Sequence, residues 1–171
     1  MNKMRLLFLI IICLILARIG YSYFNNEKPS SEVIIESKIE EKNLGEIIEI
    51  TDYASLENYL TLDEINFLVI GKSGCEHCES YKPVLKEIAK NYEVKILYVD
   101  IKNLSNEDLN SLRNSEIIIP AECTDSHIDE HLTYSFGTPL TLFIKNYDSI
   151  NCIRGYKDYE ETKNIVEYVY N

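Results

Sequence analysis

The chain has 171 residues, 46% of them hydrophobic, and a formal net charge of -11. This is enough for one ordinary domain with appendages and a buried core, which excludes disorder throughout. Lys3, Arg5 and Arg18 are the only charges in the first twenty residues, while Tyr21 to Asn171 carries 14 basic and 28 acidic side chains. Such a surface repels phosphate backbones and argues against nucleic acid as a partner.

Leu6 to Ala17 is an unbroken apolar run of twelve behind Lys3 and Arg5. It suits the apolar region of a secretory signal and falls short of the roughly 20 residues that span a bilayer. Extended through Ile19, Tyr21, Tyr23 and Phe24 the run reaches nineteen, with Arg18 snorkelling to the interface. Residues 1–24 are therefore expected to be a signal anchor, or a signal peptide cut after Ser22. Either way the basic residues stay in the cytoplasm and the rest is exported, leaving the folded domain on the extracytoplasmic side of the cell membrane, or secreted if cleavage occurs. Residues 25–45 are polar and acidic, broken by Lys28-Pro29-Ser30-Ser31, and read as a tether. The folded domain is expected over 46–171.

Within it, Glu46–Ile50 alternates as a short strand and Ala54–Leu60 reads as a short helix with Leu56, Tyr59 and Leu60 inward. Phe67–Ile70 is a buried strand bounded by Gly71. Cys75-Glu76-His77-Cys78 follows, then a helix whose apolar stripe is Tyr81, Val84, Leu85, Ile88 and Tyr92. Val94–Asp100 predicts a third strand ending in an acid, Asn106–Leu112 a helix, Ile117–Pro120 an extended piece and Ser126–Tyr134 a further helix. Phe136–Ile144 predicts a strand with a proline among its first residues, where a missing ladder donor is tolerated. Asn146–Ser149 reads as a turn and Ile150–Arg154 as the returning strand, broken by Gly155. Asp158 and Glu161 form a capping box for a last helix with Thr162, Ile165, Val166 and Val169 on one face.

This order, with a CxxC pair after a strand and a proline opening a later one, resembles the thioredoxin fold over about Glu46 to Asn171. Three motifs carry the resemblance. Cys75-Glu76-His77-Cys78 matches the redox pair, Pro83 the proline inside the following helix, and Thr138-Pro139 the cis-proline loop facing the pair. The implied class is α/β: a central mixed β-sheet flanked by helices, with an insertion before the cis-Pro strand. Thioredoxins proper carry Trp, Pro and a buried Asp where this chain has Gly74, His77 and Val69. The resemblance is therefore to exported or membrane-tethered relatives. The tethered layout is also similar to bacteriocin transport accessory proteins.

The resemblance implies a thiol:disulfide oxidoreductase acting on exported cysteine-containing proteins or peptides, supplied by a redox partner protein, with no cofactor and no metal. Cys75 is the expected nucleophile and Cys78 the resolving thiol. The helix N-terminus, and His77 when protonated, would draw the Cys75 pKa down from about 8.5, while Glu76 opposes them. A stabilised thiolate favours the reduced form, which points to an oxidant or isomerase rather than a general reductant. Thr138 and Pro139 would offer backbone pairing to an extended substrate.

The alternative is a tethered binding module, for metal delivery or peptide export, using Cys75 and Cys78 as ligands. Cys123, His127 and His131 would line one face of the Ser126–Tyr134 helix at metal-ligand spacing, and His127-Ile128-Asp129-Glu130-His131 satisfies HxxEH. The favoured reading of that helix is a surface element with two solvated histidines. Cys123 and Cys152 could pair, but two unpaired buried thiols are favoured, since alternation puts Cys152 on the same face as Ile150.

Overall fold

Strand β2, Asn66–Gly71, is buried along its whole length, and a strand covered on both faces must lie at the centre of a layered fold. The computed structural model describes residues 45–132 and 137–171. The expected anchor, nearly all of the tether, and Phe136 lie outside the described residues. Among the described residues no helix is long and apolar enough to cross a membrane.

Around β2 the order of elements is β1 (Ile47–Ile50), α1 (Tyr53–Leu60), β2, α2 (Glu76–Tyr92), β3 (Ile96–Asp100), α3 (Asn106–Arg113), β4 (Ile118–Ile119), β5 (Glu130–His131), β6 (Leu140–Lys145), β7 (Asp148–Arg154) and α4 (Tyr159–Tyr170). The main sheet runs β1-β3-β2-β6-β7. β3 is parallel to both β1 and β2, and these pairings require the crossovers that α1 and α2 provide. β6 is antiparallel to β2, and β7 to β6.

Strand alternation divides the core into two layers. Phe67 and Val69 of β2 face the layer of α2 and α4, with Tyr81, Leu85, Ile88 and Val166. Leu68 and Ile70 face the other layer, with Leu56 and Leu60 of α1, Leu112 of α3, and Ile119 and Leu132 flanking the insertion. The helix ends are capped as their sequences dictate. Asp52 accepts from the Ser55 amide at 2.7 Å, and Asp158 and Glu161 close a reciprocal capping box.

Three expectations are corrected. The helix expected over Ser126–Tyr134 does not form across its described part, residues 126–132. A 3-10 turn at Ala121–Cys123 precedes it, and in its place are bends and β5, which pairs with β4 through Ile118 opposite His131. His127 is in the left-handed region at φ 56, where a helix cannot continue. The Cys123, His127 and His131 spacing therefore lies on no common helical face. Among the described residues no three His, Cys, Asp or Glu side chains group as metal ligands.

The second correction is the hairpin. Asn146 and Tyr147 alone make the turn, both left-handed at φ 50 and 67, so the strands run from Leu140 to Lys145 and back from Asp148. Pro139 lies just before β6 rather than within it. A bulge follows, because Phe143 pairs with Asn151 and Ile144 with Ser149. Ile150 is the extra residue; it turns out to 49% exposure while Cys152 stays buried, so the two do not share an environment.

The third concerns Cys123 and Cys152, which are joined in a disulfide, with Cα atoms 6.3 Å apart. The 3-10 turn that ends at Cys123 packs against β7. Arg154 and Asp125 form an ion pair beside the bridge. The bridge closes a loop of 29 residues and ties the insertion to the last strand. Replacing both cysteines, Cys123→Ala with Cys152→Ala, should lower the unfolding free energy by about 2–4 kcal/mol in urea titrations. A loss below about 0.5 kcal/mol would mean packing alone holds the insertion.

Candidate active site

The candidate site is built where β2 hands the chain to α2. Gly71 ends the strand, and the turn Lys72–Gly74 is closed by the Cys75 amide donating to the Lys72 carbonyl at 3.1 Å. Gly74 sits at φ +76, a conformation that side chains other than glycine rarely adopt. Asp100, at the end of the neighbouring β3 and 4% exposed, holds this turn. Its carboxylate accepts the Ser73 amide at 3.1 Å, the Ser73 hydroxyl, the Lys102 amide at 3.0 Å and the Asn103 side chain at 3.4 Å. Burial works to raise the Asp100 pKa, but the Ser73 and Lys102 hydrogen bonds and the nearby Lys82 charge outweigh it and hold the carboxyl below its usual range.

The turn delivers Cys75 as the N-cap of α2. Its Sγ accepts the Cys78 amide at 3.4 Å, taking the place that a Ser or Asp oxygen usually fills. On its other side stands the loop before β6. The Cys75 thiol donates to the Thr138 carbonyl at 3.5 Å, and the Thr138 hydroxyl reaches back to the sulfur at 3.7 Å. The Thr138–Pro139 bond is cis, and the Gly155 amide donates to the Pro139 carbonyl at 2.9 Å. Just beyond, Tyr156 is 41% exposed and meets Tyr81 edge-on at 6.0 Å.

The two cysteines are both free and differ sharply in surroundings: Cys75 is half-buried and Cys78 fully buried. Burial pushes Cys75 up, yet hydrogen bonds from the Cys78 thiol and amide, the Thr138 hydroxyl and the His77 amide bring it below the ordinary thiol value. Cys78 moves the other way, raised first by burial and then by its neighbour Cys75. One sulfur is prepared to be a thiolate and the other to stay a thiol.

Glu76 and His77 are exposed on the first turn of α2. The leading influence of His77 on Cys75 is its backbone N–H. Of the residues expected at the site, Cys78, Thr138 and the His77 amide reach the Cys75 sulfur, while Glu76 and Pro139 adjoin them in the chain. Sequence reading missed Asp100 and Ser73, although Asp100 was visible as an acid closing a strand.

No protein-family model and no curated protein matches the chain. Solved structures do. Spinach chloroplast thioredoxin f in its long form superposes with TM-score 0.56 at 15% identity, over 78% of this chain and 94% of that one. Thioredoxin f2, from a complex with ferredoxin:thioredoxin reductase, gives 0.53 at 18% identity, over 75% and 99%. Thioredoxin from Trypanosoma brucei brucei gives 0.52 at 12% identity, over 75% and 95%. The fold is a thioredoxin fold.

The Asp100 clamp is testable through pH. Because its carboxyl is depressed on folding, its contribution is complete above the unfolded carboxylate value of about 3.9 and lost as pH falls through the folded value. Asp100→Asn should cost about 1–3 kcal/mol near neutrality and remove that part of the acid limb in denaturation curves. An unchanged acid limb would show that the clamp contributes nothing.

Proposed function

We propose that the chain is a thiol:disulfide oxidoreductase working outside the cytoplasm on exported proteins or peptides. The observation that carries this reading is the Cys75 sulfur, half-exposed, capping a helix, with a buried thiol one turn behind it. In the oxidised state a substrate thiolate attacks Cys75 Sγ, the Cys75–Cys78 bond breaks, and its electron pair leaves on Cys78, which then takes a proton from water. A second substrate thiolate attacks the substrate sulfur of the mixed disulfide. Cys75 departs as a thiolate, the substrate leaves as a disulfide, and the pair is left reduced. A partner disulfide restores it by accepting the two electrons. The thioredoxin f2 structure, solved with a reductase, supports a redox partner protein in general terms.

Hydrogen bonds that hold Cys75 low stabilise the reduced pair, which supports an oxidant or isomerase over a general reductant. The Cys123–Cys152 bridge supports an oxidising compartment, in keeping with the basic and apolar start of the chain. The Thr138 backbone beside the sulfur would pair with an extended substrate.

Cys78→Ala removes the resolving thiol and should accumulate mixed disulfides through Cys75, seen as reductant-sensitive adducts on non-reducing gels. Absence of adducts, with stoichiometric copper or zinc lost on mutating either cysteine, would replace this reading with a metal-binding module. The reduction potential reports direction: about -120 mV is typical of a strong oxidant and about -270 mV of a reductant. His77→Pro should lower it, and equal potentials would remove His77 as a tuning residue.

A further inference from the structure

A lysine stands at the rim of the cysteine turn and holds no acid. Lys102 follows β3 in a short loop whose backbone is fastened to the site. The Ile101 amide donates to the Gly71 carbonyl at 3.0 Å, the Lys102 amide to the Asp100 carboxylate at 3.0 Å, and the Asn103 amide to the Asp100 carbonyl at 2.9 Å. The same carboxylate accepts the Ser73 amide, so one group holds both the lysine and the turn before Cys75. The Lys102 side chain reaches back to that turn. A Cβ placed on Gly74 would stand 3.7 Å from its Nζ, and no other described heavy atom beyond the neighbouring residues would lie within 4 Å. Adding the bonds to the next Cα puts the ammonium at most about 9 Å from the Cys75 Cα. Gly74 and Lys102 are both exposed and Cys75 is half-buried, so solvent reaches all three.

The chain has 28 acidic side chains against 17 basic ones, and acids are easily found. Among the described residues Lys82, Lys95, Lys145, Arg154, Lys157 and Lys163 each meet a carboxylate. Lys102 meets none within 4 Å. Nor is its charge engaged with the nucleophile, because the groups that lower the Cys75 thiol are hydrogen bonds from Cys78, Thr138 and His77. The other exposed charges adjoining Cys75 in the chain are Lys72, at the start of the turn, and Glu76, at the start of α2. An exposed charge within about a Debye length of the reacting sulfur acts chiefly on what approaches it, through encounter and partner choice.

We propose that Lys102 is a specificity-determining residue, drawing to Cys75 those substrates that carry an Asp or Glu carboxylate beside the reacting cysteine. The inference rests on the exchange reading above and names the substrate class of that site. An acidic segment would set its carboxylate on the Lys102 ammonium as its sulfur meets Cys75 Sγ. The net charge of -11 repels such a segment elsewhere on the surface, so the lysine is what admits it at this edge. A substrate with lysine at the same place meets a like charge and is disfavoured.

The test uses the full-length Cys78→Ala chain in a neutral detergent, where Cys75 is the one free thiol of the pair. Alkylation of Cys75 is timed with iodoacetamide, which is neutral, and with iodoacetate, an anion. The neutral reagent reports thiolate content, and the ratio of the two rates reports the local cation. Lys102→Gln should leave the iodoacetamide rate unchanged and lower the iodoacetate-to-iodoacetamide ratio about two- to threefold at low salt, the factor for one unit charge about 8 Å away in water. The difference should vanish near about 1 M salt. Lys102→Arg should keep the ratio, and Lys86→Gln, the same charge change about 16 Å further along α2, should not alter it. In a second arm the Cys75 thiolate attacks disulfide-linked peptide dimers that differ only in Glu, Gln or Lys beside the cysteine. One peptide stays on Cys75 and the other leaves as a thiolate. Rates should fall in the order Glu, Gln, Lys, and Lys102→Glu should reverse that order. A ratio or a peptide order indifferent to the residue at position 102 would overturn the proposal. If the unaltered lysine chain attacks none of the peptides, the exchange reading fails separately, and the alkylation ratio still decides whether Lys102 draws anions to Cys75.

Discussion

A sulfur atom stands where a helix expects an oxygen. Helix α2 begins with backbone N–H groups that have no intrahelical partner, and Cys75 Sγ accepts one of them. This single substitution of cap chemistry couples folding to reactivity, because the interaction that starts the helix also stabilises charge on the nucleophile. It explains why the pair is asymmetric. The capping sulfur faces Thr138 and the surface, whereas the sulfur one turn later is drawn beneath the helix by the same geometry that buries Tyr81 and Leu85.

The cap depends on the turn before it, and the turn depends on a neighbouring strand. Asp100 belongs to β3, which is parallel to β2 and pairs Asp100 with Gly71. Parallel pairing brings the ends of both strands to the same edge of the sheet, so a carboxylate closing one strand can receive the amides of the turn that follows the other. β6 runs the opposite way, which brings its beginning to that edge and sets Thr138 against Cys75. The site is therefore assembled from three strand ends. The opposite layer, with the insertion and its Cys123–Cys152 bridge, packs on the other face of the sheet.

Much of this was legible without coordinates. Strands such as Phe67–Ile70 and helices such as the one after Cys78 are local patterns: a short run that is apolar throughout, a stripe at helical spacing, a capping box at Asp158 and Glu161. The insertion was not legible. Ser126–Tyr134 has helical spacing, but a short polar segment is governed by what anchors it, and here the anchors are distant: a disulfide to β7, an ion pair from Arg154, and strand pairing to Ile118. Ile150 was misread for a related reason, since a bulge shifts alternation by one residue and depends on the partner strand.

The amino-acid order by itself determined that a thiol pair sits between a buried strand and an amphipathic helix, and that a proline lies ahead of a later strand, because these are relations between near neighbours. The tertiary structure alone decided what surrounds each sulfur. It brought Thr138 to one cysteine and Asp100 to the turn before it. Each of these is joined to the pair only through sheet register, and register is set by the packing of whole strands, which no stretch of sequence contains.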